Sequence, residues 1–309
     1  MRMGLMIGAS DGPDGSLAGI IRTAQDAEAR GFDDLWMANI FGLDAISTLS
    51  LVGSHTSTIG LGTAVTPTYP RHPTALAQQA MTAGAAAQGR FRLGIGLSHK
   101  IVIENMLGFS YDKPARHMRE YLEVLGPLMR GETVSHAGEQ YNVNLTLTVP
   151  DAGHVPILVA ALGPQMLKLT GELADGTVTW MTGPRTLEDH IVPSLNTAAD
   201  SAGKPVPTVA AGFPIVVTND PNAARERIGK TLAGYGQLPS YRAMLDREGL
   251  AGPGDIALAG DENTLRSSLQ RLKDLGVTHF CAAIVPTDDG AYDRTLEFLS
   301  GDWLSLIHI

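Results

Sequence analysis

The feature that most constrains this chain is an alternation that never breaks. Eight short apolar runs recur along 309 residues, at 5–8, 34–38, 59–65, 92–96, 156–161, 177–180, 209–217 and 279–285, with helical periodicity between them. Leu17, Ile20, Ile21, Ala24 and Ala27 share one helical face, and Gly31 follows where a helix C-terminus favours glycine. Met118, Tyr121, Leu122, Leu125, Leu128 and Met129 repeat at three- and four-residue spacing up to Gly131. Strands that alternate with helices build parallel βα units. A closed barrel fits better than a doubly wound sheet, because the alternation runs the full length and no Gly-x-Gly-x-x-Gly follows the first run. The expected fold is therefore α/β, a (β/α)8 TIM barrel forming one domain over residues 1–303. Residues 132–150 switch to strand-like alternation, with a turn near residues 137–139. They predict a hairpin or extended arm inserted after the fourth βα unit.

Composition narrows the function classes. With 44% hydrophobic and 18% charged residues, the chain has material for a large core. A net charge of -9 argues against a general nucleic-acid binder, which is usually basic over one face. The single cysteine, Cys281, allows no intrachain disulfide and fits a reducing cytoplasm. Its apolar neighbours predict a packed thiol rather than a nucleophile. No run approaches the ~20 apolar residues of a membrane helix, and the N-terminal run is too short for a signal peptide. Residues 304–309 (LSLIHI) match what a transposon end used in DNA library preparation encodes in one frame, and are read as a non-native tail.

In such a barrel the chemistry gathers at the C-terminal strand ends. That selects residues 8–10, 39–41, 63–67, 96–99, 161–164, 180–183, 213–216 and 285–287. His99 is the titratable candidate there, since an imidazole titrates near pH 6.5; a phosphate or surface contact explains it equally well. Phe41 and Trp180 read as pocket walls and His72, before a proline, as structural. His and acidic residues lack metal-ligand spacing, so no metal is expected. Neither a Gly-x-Ser-x-Gly elbow nor a Walker loop is present.

The segment at 62–73, GTAVTPTYPRHP, holds three prolines and leads into a helix. A rigid loop ending at a helix start accounts for it on physics alone. It also resembles the loop after the third strand in F420-dependent members of the luciferase-like family. These include methylene-tetrahydromethanopterin reductases and glucose-6-phosphate dehydrogenases. The resemblance implies a non-proline cis peptide at Thr63-Ala64 or Ala64-Val65, forming a bulge that backs a deazaflavin ring. Gly31 to Trp36 and Arg90 to His99 resemble the family's second strand and its fourth strand with a glycine-rich exit. Val159 to Gly176 resembles the segment whose turn opens the helix after strand five.

This ordered set implies a hydride-transferring oxidoreductase with coenzyme F420, held by Thr63, Ala64, Val65, Gly96, Leu97, Ser98, Ala161, Leu162, Gly163 and Pro164. The Gly163–Pro164 turn would offer backbone N–H groups to the coenzyme phosphate. Arg71, Lys100 and Lys168 are candidates for its anionic tail. His99 and Asn39 stand as the catalytic candidates, Phe41 and Trp180 as the substrate wall. Some F420 enzymes carry Asp-His after strand two; here the residues are Asn39-Ile40-Phe41, and asparagine can hold a hydrogen bond but not titrate. Arg116 and Glu120, four apart, match the family's Arg-x-x-x-Glu helix and predict an ion pair. An FMN-dependent monooxygenase of the same fold and a non-catalytic cofactor-binding protein are the alternatives. The implied partners are a small-molecule substrate and a second copy in a homodimer, with neither nucleic acid nor membrane.

Overall fold

The computed structural model describes residues 1–8 and 14–301. Ala9 and Ser10 of the first predicted rim segment, and the 304–309 tail, lie outside the described residues. Eight parallel strands close on themselves: β1 Arg2–Ile7, β2 Asp34–Met37, β3 Gly60–Thr63, β4 Phe91–Gly96, β5 Ile157–Val159, β6 Gly176–Trp180, β7 Thr208–Val217 and β8 His279–Ile284. Pairing of β1 with β8 at Arg2↔His279 through Leu5↔Ala282 completes the ring. The predicted third run, 59–65, pairs continuously only to Thr63. It then breaks and resumes as a two-residue strand, Thr66–Pro67, against the end of β4. Most strand residues are buried, because a helical layer covers the outside and side chains fill the inside.

Two packed layers follow from that arrangement. The outer one unites the apolar stripes of the helices with the outward faces of the strands. The inner one is small and includes Met6, Trp36, Leu158, Val178 and Cys281. Trp36 takes up so much of the lumen that its neighbours must be glycine. A Cβ on Gly62 would lie 2.4 Å from the Trp36 ring, and one on Gly4 2.9 Å from it. Cys281 is fully buried, and burial pushes its thiol up, as the apolar surroundings predict.

Helix Leu17–Ala29 starts on Ser16, whose hydroxyl accepts from Gly19 N–H at 3.1 Å, and Gly31 follows its end at φ +83°. His72 caps Pro73–Ala86, its structural role as expected. The predicted hairpin is present as Val134–Ala137 paired antiparallel with Asn142–Leu145. It docks on helix Pro114–Met129 through Glu120, whose carboxylate accepts three N–H groups of the turn at 2.8–3.2 Å. This corrects the expected Arg116–Glu120 pair. Fixed backbone donors already satisfy the buried Glu120, and Arg116 pairs instead with Glu139 on the hairpin.

After β7 the chain makes an excursion before β8. Pro221–Thr231 is followed by a second helix, Pro239–Glu248, and then by Glu262–Asp274. Among the described residues no helix is long and apolar enough to cross a membrane.

Candidate functional site

A cavity of about 900 Å³ opens at the C-terminal ends of the strands. Each side of it has a local cause. On one side, β3 stops at Thr63 because that side chain bonds sideways: its hydroxyl donates to the Gly94 carbonyl at 2.7 Å and accepts from Gly94 N–H at 2.8 Å. The next peptide but one, Ala64-Val65, is cis, the second of the two expected positions. Ala64 and Val65 line the cavity, whereas Thr63 is fully buried behind them.

The loop beyond the bulge is held from outside by helix Pro114–Met129. His117 Nε2 lies 2.9 Å from Thr68 Oγ1, and its ring stacks on Tyr69 at 4.0 Å. Tyr121 donates its hydroxyl to the Arg71 carbonyl at 3.0 Å. These contacts set the positions of Pro67, Pro70 and Arg71 in the cavity wall.

At the exit of β2, Asn39 Oδ1 accepts from Ala45 N–H at 3.0 Å, which ties the loop to the start of helix Ala45–His55. Asp44 caps that helix through Ser47 N–H at 2.9 Å and pairs with Arg71 at 2.6 Å. Burial alone would raise the Asp44 carboxyl; the Ser47 bond and Arg71 hold it below the usual range. Between these anchors Ile40 and Phe41 project outward while still lining the mouth, Phe41 with 68% of its surface exposed.

The exit of β4 brings Gly96, Leu97, Ser98 and His99 to the cavity. Ser98 takes φ +59°, a turn steadied by Tyr111, whose hydroxyl donates to the Ser98 carbonyl at 3.3 Å. Burial pushes the His99 imidazole below its ordinary value, so it is neutral at pH 7. At the exit of β5, Leu162 and Gly163 line the cavity. Ala161 is buried behind them, and Pro164 begins helix Pro164–Leu173 outside the lining.

The remaining wall is aromatic. Trp180 ends β6, and its ring lies 6.1 Å from Tyr235, which lies 5.4 Å from Tyr241, which lies 5.6 Å from His99. Burial raises both phenols, keeping them protonated. Sequence reasoning missed Tyr235, Tyr241 and Tyr111, because the first two ride on the excursion after β7 rather than at a strand end. Two tyrosines flanking Pro239 are the only trace they leave in the sequence.

Among the described residues no carboxylate lines the cavity, and its one guanidinium, Arg71, is already paired. Lys100 and Lys168 lie outside the lining, each beside a glutamate four residues on. Trp180 Nε1 and Thr179 Oγ1 are buried in the wall without a hydrogen-bond partner.

A family model described as luciferase-like monooxygenase matches residues 1–299. A Mycobacterium tuberculosis protein provisionally named a coenzyme F420-dependent oxidoreductase is 32% identical over 200 residues. That match takes in 60% of this chain and 57% of the relative's length. A 5,10-methylenetetrahydromethanopterin reductase of Archaeoglobus fulgidus is 31% identical over 231 residues, covering 73% of this chain and 68% of that one. In three dimensions the coenzyme F420-dependent tetrahydromethanopterin reductase of Methanopyrus kandleri superposes with a TM-score of 0.82, at 22% identity and 99% coverage of both chains.

Proposed function

Because this chain belongs to the luciferase-like monooxygenase family, we propose that it is an oxidoreductase that uses coenzyme F420 to move a hydride to or from a small organic substrate. The observation that carries the reading is the cavity itself. It is roomy and apolar, with no carboxylate among its described lining residues, a bulge of small residues in one wall and four rings in another. The name of the 32%-identical relative favours F420 over FMN.

The residues present fit such a coenzyme. At about 900 Å³ the cavity has room for a flat ring system beside a small substrate. A Cβ built on Gly163 meets nothing within 4 Å, so this glycine leaves an open cradle beside a helix N-terminus with no acid in its first turn. Ala64, Val65, Gly96, Leu97 and Ser98 would hold the ring, with Thr63 fixing the bulge from behind. Leu162, Gly163 and the helix that Pro164 opens would meet the phosphate, with Ala161 packing that turn. When bound, the deazaflavin supplies the two-electron carrier.

The protein's own part is orientation, exclusion of water and proton management. Neutral His99 can take the proton of a substrate hydroxyl, or return it, within an apolar wall that keeps bulk water away. Asn39, its carbonyl oxygen committed to Ala45, has its amide N–H groups left to hold a substrate oxygen. Phe41 and Trp180 would bound the substrate side.

Titration of the full chain with F420 and FMN side by side, read by fluorescence and absorbance, tests the assignment. Micromolar F420 binding without FMN binding at the same concentration is expected. The reverse preference would make the protein an FMN-dependent monooxygenase. F420 bound but never oxidised or reduced by any substrate would make it a carrier.

A further inference from the structure

The mouth of the cavity is built unlike the rest of the surface. Among the described residues, seven of the ten exposed large hydrophobic side chains fall in just two segments, 40–43 and 101–109. Both segments also line the cavity: Ile40 and Phe41 from the first, Val102 and Leu107 from the second. Ile101–Met106 is a π-helical turn in which four of six residues are apolar, Glu104 and Asn105 being polar. Ile103 faces the core and Val102 the cavity, while Ile101 and Met106 face outward, about 60% exposed. A solvent-facing turn of ordinary design would be polar there. Both segments thus contribute apolar side chains to the cavity lining and to the outer rim beside it.

Electrostatics point the same way. Arg71 is occupied by Asp44 at 2.6 Å, and among the described residues no carboxylate lines the site. A charged substrate would lose water and find no free opposite charge among the described lining residues, which is strongly unfavourable. Resting on the reading of this cavity as a redox substrate pocket, we propose that the substrate is an uncharged molecule with an extended apolar portion that lies from the cavity across Phe41 and Leu107. A second copy seated on the same patch would close the entrance that a substrate needs.

Methyl ketones of increasing chain length, from acetone upward, are the probes. Their binding to the F420-loaded full chain is followed by the change in coenzyme fluorescence. Each added methylene should tighten binding about fourfold until the tail passes the rim. A keto acid short enough to keep its terminal carboxylate inside the cavity should bind at least ~10-fold more weakly than the ketone of matched length. Phe41→Ser, and independently Leu107→Gln, should cost the long ketones roughly tenfold and flatten the dependence on length. A flat series in the parent protein, or tighter binding of the keto acid, would overturn the proposal. So would sedimentation showing that Phe41→Ser splits a dimer while the length dependence survives. F420 affinity is measured first and separately. If F420 does not bind, the cofactor reading fails, and the same ketone series on the cofactor-free chain, displacing Nile red, still decides the substrate class.

Discussion

The two ends of this barrel are built on opposite rules. At the N-terminal face, Asp34 opens β2 with none of its surface exposed. Arg2 bonds it at 2.9 Å and Arg92 at 2.8 Å, and Gly60 packs so close that a Cβ there would lie 2.1 Å from its carboxylate. His279, opening β8, stands 3.8 Å from the same carboxylate. The arginines there answer the buried carboxylate and space is filled, although His279 Nε2 is itself buried without a hydrogen-bond partner. At the C-terminal rim the charges are few, polar atoms in the wall lack partners and large apolar side chains face water. The contrast teaches that stability and ligand binding are separable here: one face closes the ring, and the other is left incomplete for something to fill.

The strongest test of that separation is Asp34→Ala. It leaves two guanidinium groups at the barrel foot without their carboxylate, a loss of about 3–5 kcal/mol when a buried pair is broken. Arg2 is partly exposed and can rehydrate, which places the expected loss at the lower end. Denaturant unfolding measures it. Coenzyme affinity of the folded fraction should stay within about twofold, since nothing at the rim touches Asp34. Intact stability with collapsed affinity would break the comparison.

Acid should act on the same face. Burial lowers His279 to about 4; the nearby Asp34 charge works against this, while Arg92 and Arg2 add to it. The unfolded chain, with an ordinary histidine near 6.5, takes the proton first as pH falls. Stability is thus fully present above pH ~6.5 and lost progressively down to about 4, by roughly 3 kcal/mol. His99 and His117 are lowered too, also by burial, and add in the same direction. His279→Gln should remove much of this slope. An unchanged slope would show that the acid sensitivity sits elsewhere, at the rim histidines first of all.

How much of this was legible in the sequence differs between the two faces in the same way. All eight barrel strands could be read, because strands covered on both sides must be apolar runs and the helices between them carry a clear period. The strand exits could be read as well: twelve of the seventeen site candidates named from the sequence line the cavity, and Thr63, Ala161, Pro164, Lys100 and Lys168 lie outside its lining. What escaped depends on contacts between distant segments. Glu120 faces hairpin backbone rather than Arg116, a choice made by how the arm docks. Tyr235 and Tyr241 reach the cavity only because the turn Tyr235–Gln237 and the helix Pro239–Glu248 fold back over the rim. The turn at Ile101–Met106 is too short to show a period, so its outward apolar residues looked like any loop.

The smallest expected effect separates two glycines of the rim itself. At Gly96 a Cβ would lie 2.7 Å from Val65, so Gly96→Ala pushes on the bulge and should cost about 1–3 kcal/mol of stability. At Gly163 the backbone is extended, φ -83° and ψ 154°, and an added Cβ meets nothing within 4 Å. Valine tolerates that backbone, so Gly163→Val should cost no more than the roughly 0.5–1 kcal/mol of a poorer N-cap while filling space that the proposed coenzyme phosphate would take. An affinity loss of about tenfold, or 1.4 kcal/mol, is expected in the F420 titration. The pair makes the rim's own division of labour measurable: one glycine is needed by the fold, the other by the ligand. Should Gly163→Val unfold the protein and spare binding, that glycine would belong with Gly60 and Gly62 as packing, and the phosphate cradle would have to be sought on the other side of the cavity, near Arg71.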